Sequence, residues 1–146
     1  DVVSDTQQHL LGTRTKARNA DQGECEFIYV KGLASVAVGE GVSYDGATGL
    51  LVRTVAATRG PVGIAMSALV AGKYGWIQIF GKAICKVGTV ISGGLVLATA
   101  TPGTLDDAAL TGAQWSNAVF KSATDVPATG FAYAMICYPA MVGMGA

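Results

Sequence analysis

The sequence contains few charged residues, and its positive and negative charges balance. Only 14% of its 146 residues are charged, and ten basic residues balance ten acidic ones. Ordinary soluble domains carry about 25% charged residues. A neutral balance gives no electrostatic footprint for nucleic acid or for an anionic membrane, and it gives little protection against self-association. Because 51% of the residues are hydrophobic, we expect much of the surface to lie against other subunits.

Histidine and cysteine are too few and too scattered to predict a catalytic or metal site. His9 is the one histidine, and it lies in a polar segment. Cys25, Cys85 and Cys137 are far apart and lack metal-ligand spacing. Because Cys85 and Cys137 each lie inside an apolar run, we expect buried free thiols. The sequence therefore predicts a protein that is not an enzyme and that binds no metal or cofactor.

Long apolar runs are also missing. No stretch approaches the roughly 20 uninterrupted apolar residues of a transmembrane helix, so we expect no membrane association. The polar first 24 residues lack the apolar block of a signal peptide. With the odd number of cysteines, this favours synthesis in the cytoplasm.

The sequence is rich in short β-type runs separated by turns that contain glycine. From Cys25 onward the runs are EFIYVK, LLVRTV, PVGIAMS, GWIQIFG, KAICKV, LVLAT, NAVFKS and FAYAMICY. This pattern predicts an all-β fold, a small β-barrel or β-sandwich, with residues 25–146 forming a single domain. One helical turn is predicted near DAAL, because Thr104 followed by Asp107 resembles a helix start.

Residues 1–24 show no sustained periodicity and are predicted to form an extended N-terminal arm. Leu10 and Leu11 are its paired apolar anchors. Arg14, Lys16 and Arg18 alternate along TRTKAR, so in an extended conformation all three lie on one face. Two interpretations stay open: a solvated charged strand, or a segment that grips a partner protein.

The run KYGWIQIFGKAICK concentrates large apolar side chains. In a strand, Tyr74, Trp76, Gln78 and Phe80 share one face. Such a face can stack a base or a sugar ring, but only three lysines lie nearby to form the basic groove that nucleic acid requires. Packing in the core or against another subunit is the favoured interpretation, and we expect no direct contact with nucleic acid.

The last predicted strand, FAYAMICY, is apolar on both faces, which predicts an inner strand covered on both sides. Pro139 ends it, and Met141 and Met144 follow on a glycine-rich tail. The tail is interpreted either as disordered or as docked on a neighbouring subunit.

The order of several segments matches that of a known family. The segments are LGTRTKARNADQGECEFIYVKGLASVAVGEGVSYD, then RGPVGIAMSALVAGKYGWIQIFGKA, then TPGTLDDAALTGAQWSNAVFKSATDVPATGFAYAMICYP. In this order they resemble the decoration (cement) proteins of tailed-bacteriophage capsids, over nearly the whole chain from Leu11 to Pro139. The marks of the likeness are structural: LGT leading to IYVKG, GPVGIAM, YGWIQIFGKA and PATGFAYAMICYP.

The resemblance implies a small β-rich module on the outside of the capsid of a virion, made in the cytoplasm of a bacterial host. Its implied partners are the major capsid protein and further copies of itself, as a homotrimer. It carries over no catalytic residues. The residues expected at capsid or subunit interfaces are Leu10, Leu11, Arg14, Lys16, Arg18, Tyr74, Trp76, Met141 and Met144.

Two other functions stay open at this point. One is a phage tail or baseplate β-module, because several virion proteins share small β-barrels. The other is a carbohydrate- or ligand-binding β-barrel that uses the face from Tyr74 to Phe80.

Overall fold

A computed structural model describes residues 3–32, 36–45, 47–49, 51–55, 57–107 and 113–141. Within these ranges the chain forms eleven strands and no helix, which confirms the all-β prediction. The strands are β1 Arg14–Asn19, β2 Gly23–Lys31, β3 Gly41–Tyr44, β4 Leu51–Arg53, β5 Gly60–Ala65, β6 Tyr74–Lys86, β7 Leu95–Ala98, β8 Leu105–Asp106, β9 Gln114–Phe120, β10 Phe131–Cys137 and β11 Ala140–Met141. None of these residues forms a helix long and apolar enough to cross a membrane.

The helix start predicted at Thr104 is wrong. Leu105–Asp106 form β8, which pairs with β7 in the register Ala98↔Leu105. Leu105 is fully buried, so strand pairing satisfies its backbone while its side chain enters the core. The Asp107 carboxylate accepts a hydrogen bond from the Ile91 amide at 2.9 Å. The rest of that segment, residues 108–112, lies outside the described residues.

All strands pair antiparallel in one sheet that folds back on itself. Its order is β1-β2-β6-β10-β9-β11-β5-β3-β4, and β5 pairs again with β6. β7 pairs with β9 and with β8. Five strands therefore pair in succession, in the order β6, β10, β9, β11 and β5. The last of them, β5, also pairs with the first, β6.

The thirteen-residue strand β6 is central to this arrangement. Along one edge, Tyr74–Phe80 pair with β2. Along the other edge, Ile77–Gln78 pair with β5 and Phe80–Lys86 pair with β10. The prediction that this run is a central strand is confirmed.

Two apolar cores lie on either side of β5. The first contains Ile64 and the fully buried rings of Trp115 and Phe120. The second contains Ala65 with side chains of β2, β3 and β6. Because neighbouring residues of a strand point to opposite faces, β5 is a wall shared by both cores.

Glu40 joins three parts of the fold through a buried carboxylate. Its side chain is fully buried, and it accepts hydrogen bonds from the Ala37 amide at 2.7 Å and from Arg53 Nη2 at 2.6 Å. Lys86 Nζ lies 3.6 Å away. Burying an unpaired carboxylate costs several kcal/mol, so these donors hold the loop before β3 against β4 and the end of β6.

Part of the predicted N-terminal arm belongs to the sheet. β1 pairs with β2 over six residues, from Arg14↔Ile28 to Asn19↔Gly23. Residue 24 lies inside β2, so the predicted boundary between arm and domain does not coincide with a break in the fold.

β6 passes very close to β2 at Gly81. This glycine has φ +103°, and a Cβ there would lie 2.5 Å from the Glu24 carbonyl oxygen. Only glycine combines that φ with so close a backbone approach.

We predict that Gly81→Ala destabilises the protein by about 2–4 kcal/mol, because strained φ and displacement of the β2 backbone add together. Gly72→Ala is the matched control, since Gly72 has φ +81° but nothing within 4 Å of its would-be Cβ. The control should cost about 1–2 kcal/mol from φ alone. Urea unfolding of both variants measures the difference. Equal losses would contradict the close approach.

Candidate interaction surface

The segment before β1 lies over the predicted aromatic face of β6. Ser4 and Tyr74 exchange backbone hydrogen bonds of 3.0 and 2.8 Å, and Lys73 pairs with the Asp5 carboxylate. The backbone amide of Gln8 donates to the Tyr29 hydroxyl at 3.0 Å. The chain's own N-terminal segment therefore covers part of this face.

The aromatic face itself is built from two strands. Trp76 of β6 packs edge-on against Tyr29 of β2 at 5.0 Å, and Tyr74 stacks on Tyr29 at 6.3 Å between ring centroids. His9 of the covering segment lies 5.1 Å from Tyr29 and 5.3 Å from Trp76. Trp76 and Tyr74 are half-buried, and the covering segment provides part of their packing.

The predicted alternation along β6 is confirmed. Ile77 and Ile79, on the face opposite Trp76, are fully buried in the second core. Gln78 is also fully buried, and its amide donates to the Phe80 carbonyl at 3.1 Å and to Cys25 Sγ at 3.3 Å. The amide nitrogen is therefore satisfied inside the protein, whereas the buried Gln78 Oε1 has no hydrogen-bond partner among the described residues.

The three basic residues of TRTKAR lie on β1 and are exposed. Their alternation in a strand places Arg14, Lys16 and Arg18 on one face, as predicted. Arg14 lies 4.0 Å from the Glu26 carboxylate and 5.9 Å from the centre of the Tyr138 ring. Lys16 and Arg18 form no ion pair within the part of the chain that the structure describes.

Tyr138 is a surface residue that the sequence did not single out. It has φ +48° and is 45% exposed, and its ring lies 5.4 Å from Phe80. Its hydroxyl donates a short hydrogen bond to the Glu26 carboxylate, which raises the pKa of Tyr138. The only signal in the sequence was its place before Pro139, at the end of an apolar strand.

A second exposed feature crosses the outer face of the sheet. Leu95, Val119 and Met135 lie directly opposite one another on β7, β9 and β10. Leu95 is 50% exposed and Met135 41% exposed. This apolar row continues to Lys82, opposite Met135 on β6, whose ammonium lies 4.0 Å from the centre of the Tyr133 ring.

The apolar row corrects two predictions about β10. The strand is an inner one, paired with β6 and β9, but only its face with Ala132, Ala134 and Ile136 is buried. On the opposite face Phe131 and Tyr133 are half-buried, while Met135 and Cys137 are exposed, so Cys137 is not a buried thiol. Apolar content on both faces did not reveal which face the chain itself covers.

The remaining predicted interface residues have different environments. Leu10 is 79% exposed. Leu11 is partly buried and lies against Gly49. Met141 is fully buried in the first core, where β11 pairs with β5 and β9, so it has no surface to offer a neighbouring subunit. Met144 lies outside the described residues.

In the described ranges, no three His, Cys, Asp or Glu side chains are grouped so that they could hold a metal ion. Burial raises the pKa of the Cys85 thiol to about 12 and also raises the pKa of Cys25, which disfavours both thiolates. A groove of about 490 Å³ beside β3 and β5 is lined by Ser43, Tyr44, Asp45, Thr48, Val52, Arg59 and Pro61.

Neither a scan against protein-family models nor a search of curated proteins finds a match to this chain.

The two tryptophans differ in how much stability they contribute. We predict that Trp76→Ala costs about 1–2 kcal/mol, because the ring is half-buried under the N-terminal segment. Trp115→Ala should cost about 3–5 kcal/mol, because that ring is fully buried. Urea unfolding, followed by circular dichroism, measures both. A larger loss at Trp76 than at Trp115 would contradict the packing described for the aromatic face.

The three thiols should react at very different rates at pH 8. We predict that one thiol, Cys137, reacts rapidly with a disulfide reagent, because it is exposed. Cys85 and Cys25 should react only as the protein unfolds, because burial blocks access and disfavours their thiolates. Stopped-flow absorbance counts the fast thiols, and Cys137→Ser should remove the fast phase. A second rapidly reacting thiol would contradict the burial of Cys25 or Cys85.

Proposed function

We propose that the chain is a structural virion protein, a decoration protein that binds the outer surface of a bacteriophage capsid and stabilises the lattice of the major capsid protein. The order of its sequence segments supports this proposal, as does the agreement between the all-β fold and the fold that the resemblance implies. The observation that carries it is the exposed basic strand β1, with Lys16 and Arg18 free to meet acidic groups of the capsid.

The exposed apolar row supports a second contact, between copies of the chain. Leu95, Val119 and Met135 present apolar side chains across three strands, on a protein with no net charge to keep copies apart. We propose that copies associate, as a homotrimer, through this row. An oligomer would engage several capsid subunits at once, so a modest contact in each copy would add up to tight attachment.

The location of the protein is the first test. Virions from the genome that encodes the chain would be purified and imaged by cryo-electron microscopy, with mass spectrometry to confirm that the protein is present. We expect density for it on the outside of the shell. Density in the tail or baseplate, or no protein in the virion, would contradict the proposal.

The second test measures the contribution of β1 to binding. Recombinant protein would be added to heads that lack it, and occupancy would be measured as a function of concentration. Replacing Lys16 and Arg18 together by Gln should weaken binding about tenfold and reduce its dependence on salt, since two exposed charges are lost. Lys121→Gln is the matched control, because Lys121 is exposed but distant in the sheet from β1. Equal binding by the double variant and the control would exclude this role for β1.

A further inference from the structure

β1 is the longest strand at an open edge of the sheet. The sheet order begins with β1 and ends with β4, which has three residues against the six of β1. Among the described residues β1 pairs only with β2, and the β1–β2 register has no bulge. An edge of this length without proline or bulge is a template on which another strand can pair.

The hydrogen-bonding groups on the open edge belong to the basic residues. Antiparallel pairs alternate between those that exchange hydrogen bonds and those that do not. The Tyr29 amide donates to the Thr13 carbonyl at 2.8 Å, so Thr13 lies in a hydrogen-bonded pair. Every second pair is of this kind, and the N–H and C=O groups of Thr15 and Ala17 therefore also bond to β2. The N–H and C=O groups of Arg14, Lys16 and Arg18 therefore point away from β2, toward solvent.

The charges on β1 restrict which strand can pair there. If β1 of a second copy were added, three cations would face three cations, and like charges directly opposite one another destabilise a sheet. An acidic segment is favoured instead, because Lys16 and Arg18 form no ion pair within the described chain and their side chains are exposed.

A single-stranded nucleic acid is less well suited to this edge. Phosphates would meet the same cations, but they have no regular row of donors and acceptors to match the open backbone groups. Glu24 and Glu26 lie opposite Arg18 and Lys16 on β2 and weaken the attraction for any anionic partner, so backbone pairing is what favours a peptide over nucleic acid. A peptide places acidic side chains only at alternate positions and pairs its backbone with β1.

We propose that β1 binds an extended acidic segment of a partner protein by strand addition, with the partner's acidic side chains opposite Lys16 and Arg18. The backbone groups of Arg14, Lys16 and Arg18 supply the hydrogen bonds, and the cations select the partner. The identity of the partner, a capsid subunit, rests on the proposed function. The mode of binding does not.

The test uses the full chain and a capped peptide that alternates glutamate and valine over the length of β1. Amide hydrogen exchange is followed residue by residue by NMR. At saturating peptide, exchange of the Lys16 and Arg18 amides should slow at least about tenfold. The Thr15 and Ala17 amides, already bonded to β2, should change little. Binding that leaves the Lys16 and Arg18 amides unprotected would overturn the proposal.

Two further probes separate strand addition from simple charge attraction. A peptide that alternates lysine and valine should not protect the amides, and a single-stranded oligodeoxythymidylate should not protect them either. Protection by the lysine peptide, or protection by the oligonucleotide equal to that by the acidic peptide, would overturn the proposal.

Lys16→Pro compared with Lys16→Gln tests the backbone contribution, because both remove the charge and only proline removes the N–H. Because the Lys16 N–H points to solvent, proline removes no hydrogen bond within the chain and is tolerated at an edge. It should weaken binding of the acidic peptide about fivefold to tenfold, with the unfolding free energy nearly unchanged. If this variant fails to fold, Lys16→Glu should weaken binding by at least as much, against Lys121→Glu as control. Undiminished binding would overturn the proposal.

The same variants on capsids distinguish this inference from the proposed function. If the protein occupies heads and Lys16→Pro occupies them equally well, strand addition is wrong and the decoration function stands. If the protein binds no heads but the acidic peptide protects the β1 amides, the decoration function is wrong and strand addition stands.

Discussion

The pairing of β6 on both edges is the constraint on which the rest of the structure depends. One edge is taken by β2, and the other is divided between β5 and β10. Its inward side chains enter both cores: Ile77 and Ile79 the second, Ala83 and Cys85 the first. Because one strand supplies both cores, a change in its position moves the packing of the whole domain.

The candidate surfaces depend on that central strand. β2 pairs with β6, and β1 continues the sheet outward from β2, which leaves the basic strand at an open edge. On the other side of β6, β10 and β9 carry the apolar row away from the cores. The aromatic face lies between these two surfaces, and the N-terminal segment covers part of it. The basic edge and the apolar row are therefore separate surfaces of one sheet, available to different partners.

Much of the fold was predictable because successive side chains of a strand point to opposite faces, and this alternation is visible in the sequence. The face with Trp76 and the buried face with Ile77 reflect a period of two, and the same rule placed Arg14, Lys16 and Arg18 together. The helix start at Thr104 failed because a short capping motif forms a helix only when the residues after it favour one, and the burial of Leu105 favoured a strand. The roles predicted for Met141 and Cys137 failed because each depends on which strand lies across from it.

The sequence by itself determined the strand class, the alternation of faces and the neutral, weakly charged surface, since these depend on residue type and on neighbours along the chain. Only the tertiary structure decided which apolar face is covered and which strand ends the sheet. Met141 became a core residue through pairing with Trp115, and Met135 became a surface residue because it lies on the face of β10 that points away from the cores. Alternation gives a strand two faces and two edges, but long-range pairing decides which of them meets water.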